Sequence, residues 1–180
     1  MKKLFFHGNP DKRVYYVLGA LVFVIILVVV ALPTIKKYSA NERILFEKYY
    51  EPYAISKEID IHDPVFLDVT GAVEAYTKGK YFESIIRFQK LMEYNPELVF
   101  IKFFLGLSYI ETNQYRKAEA ILEELTDAKG NNYQYPAIWY LALLHLKQNQ
   151  NEEAREYLTM LLQDKNEYSA HAREILNSLN

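Results

Sequence analysis

The chain joins one long apolar run to a body patterned with the period of a helix. Val14 to Leu32 reads VYYVLGALVFVIILVVVAL, 19 residues without a charge. As a helix rising about 1.5 Å per residue, such a run reaches roughly 28 Å, close to the hydrocarbon thickness of a bilayer. Tyr15 and Tyr16 open it and Tyr38 follows it, at positions suited to headgroup depth, with Lys12, Arg13, Lys36 and Lys37 on its flanks. The pattern predicts an uncleaved transmembrane helix over 14–32, after a tail of 1–13 and before a juxtamembrane helix and tyrosine-rich connector over 33–62. Pro52 is expected to end the juxtamembrane helix, since proline disfavours helical geometry at the residue before it. Tyr38, Phe46, Tyr49, Tyr50 and Tyr53 make this connector too aromatic to be idle. They pack on the body, lie at the membrane interface, or meet a partner.

Beyond the connector the apolar positions predict helices paired as 64–78 with 81–94, 96–112 with 115–128, and 136–148 with 151–163. Asp63-Pro64, Asn95-Pro96 and Tyr135-Pro136 are read as the starts of the three hairpins, because the missing N–H of proline is tolerated at the first helical position. A last helix over 169–179 carries Ala172, Ile175, Leu176 and Leu179 on one face. Its other face holds Arg173, Glu174, Asn177 and Ser178, the polar outside a terminal cap requires.

The hairpins are copies of one another. Gly79-Lys80-Tyr81-Phe82-Glu83-Ser84 recurs as Asn113-Gln114-Tyr115-Arg116-Lys117-Ala118 and, more weakly, as Asn149-Gln150-Asn151-Glu152-Glu153-Ala154. The spacings are 34 residues from Ser84 to Ala118 and 36 from Ala118 to Ala154. Periods in this range belong to stacked units, none of which can bury its apolar face alone. Small residues fall where the two helices of each hairpin cross: Ala72 with Ser84, Gly106 with Ala118, Ala142 with Ala154. Bulky residues follow in the second helices, at Phe88 and Leu91, Leu122 and Leu125, Leu158 and Leu161.

This pattern resembles the tetratricopeptide repeat (TPR) family over about residues 64–168, with the middle copy, Leu105-Gly106-Leu107-Ser108-Tyr109, the cleanest. The third copy departs from it, with His145 in place of the usual aromatic and Asn151 in place of the turn tyrosine. The expected fold is all-α: a single transmembrane helix, then a TPR-like α-solenoid of three hairpins over 63–168 and a capping helix over 169–180.

Composition removes several function classes. Residues 1–62 carry nine Lys/Arg against six Asp/Glu, and residues 63–180 carry twelve against seventeen, so the body is acidic with both signs interspersed. That charge pattern argues against a nucleic-acid surface, which needs a basic stripe to neutralise phosphates. The chain has no cysteine, which excludes disulfides, thiolate catalysis and zinc–thiolate sites. His7, His62, His145 and His171 are isolated in sequence, and Glu123-Glu124 and Glu152-Glu153 are consecutive on helices and so do not converge. No catalytic residue, cofactor or metal site is expected.

Binding of a protein or peptide is the expected activity. In TPR proteins the first helices of successive hairpins line a concave surface. The residues of this chain that match it are Phe66, Val69, Val73 and Tyr76, then Phe100, Phe103, Leu107 and Ile110, then Trp139, Leu143 and Leu146. The face is apolar and aromatic, so something should cover it: the chain's own tyrosine-rich segment, or a helix or apolar peptide of a partner. The chain resembles small signal-anchored bacterial proteins that carry TPRs outside the inner membrane. That resemblance implies a scaffold or chaperone-like assembly factor for membrane-associated envelope proteins, with the N-terminus inside and the repeats periplasmic. The alternative is a cytoplasm-facing tether that sequesters a soluble factor.

Overall fold

In the computed structural model, the backbone is described for residues 12–54, 64–127 and 130–179, and side chains for 15–30, 41–54, 69–127 and 130–179. Helix α1, Lys12–Tyr49, runs for 38 residues. The chain divides into two compact units, Met1–Asn41 and Glu42–Asn180. The backbone leaves the helix at Tyr50, just before Pro52. In the first unit every described side chain from Tyr15 to Val30 is exposed.

The expectation of a membrane-crossing helix over Val14–Leu32 is corrected here. Among the described residues, no helix is long and apolar enough to cross a membrane. Beyond Val30, the described side chains of α1 include Glu42, Arg43, Glu47 and Lys48. The membrane-crossing helix therefore drops out of the functional reading.

The second unit is a series of antiparallel helices: α2 (Pro64–Thr77), α3 (Tyr81–Tyr94), α4 (Val99–Glu111), α5 (Tyr115–Glu123), α6 (Gln134–Lys147), α7 (Asn151–Met160) and α8 (Ser169–Ser178). Each helix packs on the next, and α4 also touches α6, so the first helices of successive hairpins share one inner face. α4 and α6 are buried almost all round, from Phe103 to Ile110 and from Pro136 to Leu146, whereas α3, α5 and α7 bury only one stripe. Two polar members of this core satisfy each other. The buried hydroxyls of Ser84 and Ser108 lie 3.1 Å apart, and Ser108 donates to the Phe104 carbonyl at 2.7 Å.

The repeated motif has a specific backbone task. Gly79, Asn113 and Asn149 have φ of 70°, 59° and 59°, the left-handed conformation that ends a helix. At each, two bonds close the helix end: Gly79 N–H to Tyr76 and Lys80 N–H to Ala75, Asn113 to Ile110 and Gln114 to Tyr109, Asn149 to Leu146 and Gln150 to His145. Glycine and asparagine recur here because a residue with an ordinary Cβ is strained by about 1 kcal/mol or more in this conformation. Asn149→Ala should therefore lower the melting temperature by a few degrees. Asn149→Gly should not, and a matching loss in the glycine variant would mean that the side chain rather than φ is the cause.

A second asparagine series joins one hairpin to the next. The side-chain amides of Asn95, Asn131 and Asn166 donate to the carbonyls of Leu91, Leu125 and Leu161, at the ends of the second helices. Asn131 and Asn166 also accept from the backbone N–H groups of Tyr133 and Tyr168, where α6 and α8 begin. Asn95 thus closes α3 rather than opening α4, which starts only at Val99. Pro136 is the third residue of α6, still within the first turn, where no N–H is required. The expected cap at Asp63 lies outside the described residues.

Candidate functional site

The inner face of α2, α4 and α6 is filled by the chain's own segment Glu42–Tyr53. Leu45 and Phe46 join the core. Tyr53 sets its ring against Phe103 at 5.0 Å and Phe104 at 6.0 Å, both edge-on, and also meets Tyr133 and Tyr140. Tyr50 stacks on Phe46 at 4.6 Å and meets Tyr140 edge-on at 5.7 Å. Tyr49 stands edge-on to Trp139 at 6.2 Å. Such ring pairs add about 0.5–1.5 kcal/mol beyond the area they bury.

Polar bonds fix the register of this segment. The Tyr50 hydroxyl donates to Glu111 Oε1 at 2.6 Å, the Tyr140 hydroxyl donates to the Glu51 carbonyl, and the Tyr49 hydroxyl donates to Glu174 Oε2. Asn151 Nδ2 donates to Glu42 Oε1 at 2.8 Å, and Lys147 Nζ lies 4.6 Å from the Phe46 ring centre. Burial, and then the bond to Glu111, push the Tyr50 hydroxyl far above the usual tyrosine range, so it remains a donor at every physiological pH. Burial does the same for Tyr140.

The residues expected to line an open groove have these positions. Val69, Tyr76, Phe103, Leu107, Ile110, Trp139, Leu143 and Leu146 are buried, and Val73 and Phe100 are half-buried. The side chain of Phe66 lies outside the described residues. Tyr53 brings Phe103 and Tyr133 into one aromatic cluster, and Tyr49 brings Trp139 together with His171 of α8. Tyr133, Tyr140 and Tyr168 belong to the site as much as the expected residues do, although the family's inner-face positions do not select them. The aromatic density of 38–53 was the signal for their partner segment.

His145 is a packed ring. It stacks on Tyr157 at 5.3 Å, and its Nδ1 lies 3.0 Å from Gln150 Oε1. Among the described residues no group of three or more His, Cys, Asp or Glu side chains is placed to hold a metal ion.

Residues 136–164 match the family described as tetratricopeptide repeat. They span α6, the left-handed Asn149 turn and α7. Residues 136–164 therefore carry a tetratricopeptide repeat. A chain of the solved structure described as the CopN–Scc3 complex has the same fold, with a TM-score of 0.54 at 24% sequence identity. The match covers 73% of this chain and 84% of that one. No curated protein matches the chain. The TPR fold is a protein–protein interaction scaffold, and its partners are proteins. In this chain Gly79, Asn113 and Asn149 close the first helices of the hairpins, and Asn95, Asn131 and Asn166 close the second.

Proposed function

We propose that the groove of α2, α4 and α6 receives an aromatic, amphipathic segment of a partner protein, and that Glu42–Tyr53 is a resident stand-in exchanged for it. The observation that carries this reading is the imperfect fit of the resident at its helical end. Glu42 is 2% exposed, yet its Oε2 has no hydrogen-bond partner, and neither do Oδ1 of Asn151, whose amide donates to Glu42, and Gln148 Nε2. A buried polar atom left unpaired costs about 1–3 kcal/mol, and more when it is charged. A segment with the same ring spacing and a neutral amide in place of Glu42 avoids much of that loss. Helix-in-groove recognition of this kind is read through anchors three and four residues apart, as Phe46, Tyr49, Tyr50 and Tyr53 are.

The test is capture of a fluorescent synthetic peptide spanning residues 42–53. The chain carrying Phe46→Ala and Tyr50→Ala holds its own resident less tightly, so it should bind the peptide at least about tenfold better than the unaltered chain. Introducing Glu42→Gln into the peptide should strengthen capture further. If neither chain captures either peptide, the segment is permanent core and the exchange reading falls.

A further inference from the structure

With the resident segment in place, a cleft of about 520 Å³ stays open between Lys48–Ala54 and helices α6 and α8. Its inner wall is the Trp139–Tyr168 stack, with ring centres 5.3 Å apart and planes 22° from parallel. Tyr53 adds a half-buried ring face. The rim carries Lys48, Glu51, His171 and Glu174. Of these, Lys48 is already engaged: its Nζ donates to the Tyr49 hydroxyl at 2.8 Å and stands 3.9 Å from Glu174 Oε2. Glu51 has no ion pair among the described residues. Tyr53 and Tyr168 are held above the usual tyrosine range first by burial and then by the carboxylate of Glu167, so a third acid bears on the same rings.

Ring faces are negative, and the uncompensated charges around them are negative too. An anion is therefore repelled, and a purely apolar group would desolvate the rim without return. A cation fits, and arginine fits better than lysine, because its planar guanidinium stacks on rings while its fork reaches a carboxylate. We propose that this cleft binds an arginine side chain of a partner peptide, with the guanidinium against Tyr53 and Tyr168 and its charge met by Glu51. The inference rests on the exchange reading in one respect. The wall Lys48–Ala54 is part of the resident, so a bound arginine holds the resident in place and opposes the groove ligand, by the same factor in each direction.

Trp139 is the single tryptophan of the chain, so intrinsic fluorescence reports on the cleft directly. Titrating the full chain with acetyl-Gly-Arg-Gly-amide should give a saturable change. The citrulline peptide, of the same shape without the charge, should bind at least about tenfold more weakly. Glu51→Gln, at an exposed position, should weaken arginine binding about fivefold without moving the melting temperature. Equal binding of the citrulline peptide, or indifference to Glu51→Gln, overturns the assignment. The two readings fail separately. Arginine binding that leaves capture of the 42–53 peptide unchanged sinks the exchange and keeps the cleft, whereas peptide capture without arginine binding does the reverse.

Discussion

A fragment of residues 42–180 is expected to melt as one cooperative helical unit, and a fragment of 60–180 to lose most of that stability. The two differ in the segment that fills the inner face. Leu45 and Phe46 are no more than 9% exposed, and burying a side chain of this kind contributes about 1.5–3 kcal/mol. Those two alone account for about 3–6 kcal/mol, against a typical domain stability of 5–15 kcal/mol. Tyr49, Tyr50 and Tyr53 add ring contacts and the bonds to Glu174 and Glu111. The shorter fragment would also uncover Phe103, Trp139 and Tyr140, an apolar patch that drives association. Thermal unfolding followed by circular dichroism, with molar mass from light scattering, checks both effects. Equal melting of the two fragments as monomers would mean that the segment rests on the body without supporting it.

Sequence periodicity disclosed the helical body because each turn of the repeat has a chemical signature. Gly79, Asn113 and Asn149 mark left-handed positions, and the alternation of fully buried α4 and α6 with half-buried α3, α5 and α7 follows from their apolar content. Positions where one backbone signal serves two purposes were misread. Asn95 beside Pro96 carries the signature of a helix start, but its amide is spent on the Leu91 carbonyl at the end of the preceding helix. The apolar run near the N-terminus has the composition of a membrane span, yet among the described residues no helix is long and apolar enough to cross a membrane.

The groove was harder to read. Phe103, Leu107 and Trp139 sit on the inner face by spacing, but spacing does not say what lies against them. That depends on pairs such as Tyr53 with Phe103, 50 residues apart in sequence, and Glu42 with Asn151, 109 apart. The aromatic richness of 38–53 is equally consistent with packing on the body, a membrane interface or a partner, and does not choose among them. The cleft beside Trp139 is one step further from the sequence, since its walls come from the connector, α6 and α8 together.

Gly106→Leu is expected to produce the largest loss of any single substitution in the body. A Cβ at Gly106 would stand 2.6 Å from Leu122 Cδ2, 2.7 Å from Leu122 Cγ and 3.1 Å from Ile121 Cγ2. Leu122 is itself fully buried, so it has nowhere to retreat without moving α5. Removing a mid-helix glycine returns about 1 kcal/mol of helix propensity. Overpacking a tight core costs about 1–3 kcal/mol and occasionally more, so alanine at 106 should be mildly destabilising and leucine should cost about 3 kcal/mol or more. The sequence pairs Gly106 with Ala118, whereas the atoms nearest a Cβ at 106 belong to Leu122 and Ile121, one turn further along α5. A double-mutant cycle separates the two assignments. Leu122→Ala should rescue part of the loss in the Gly106→Leu background, because it vacates the space the new side chain needs, and Ala118→Gly should not. If Gly106→Leu melts within a degree or two of the unaltered chain, or if Ala118→Gly is the change that rescues it, the close approach of α4 to Leu122 is refuted.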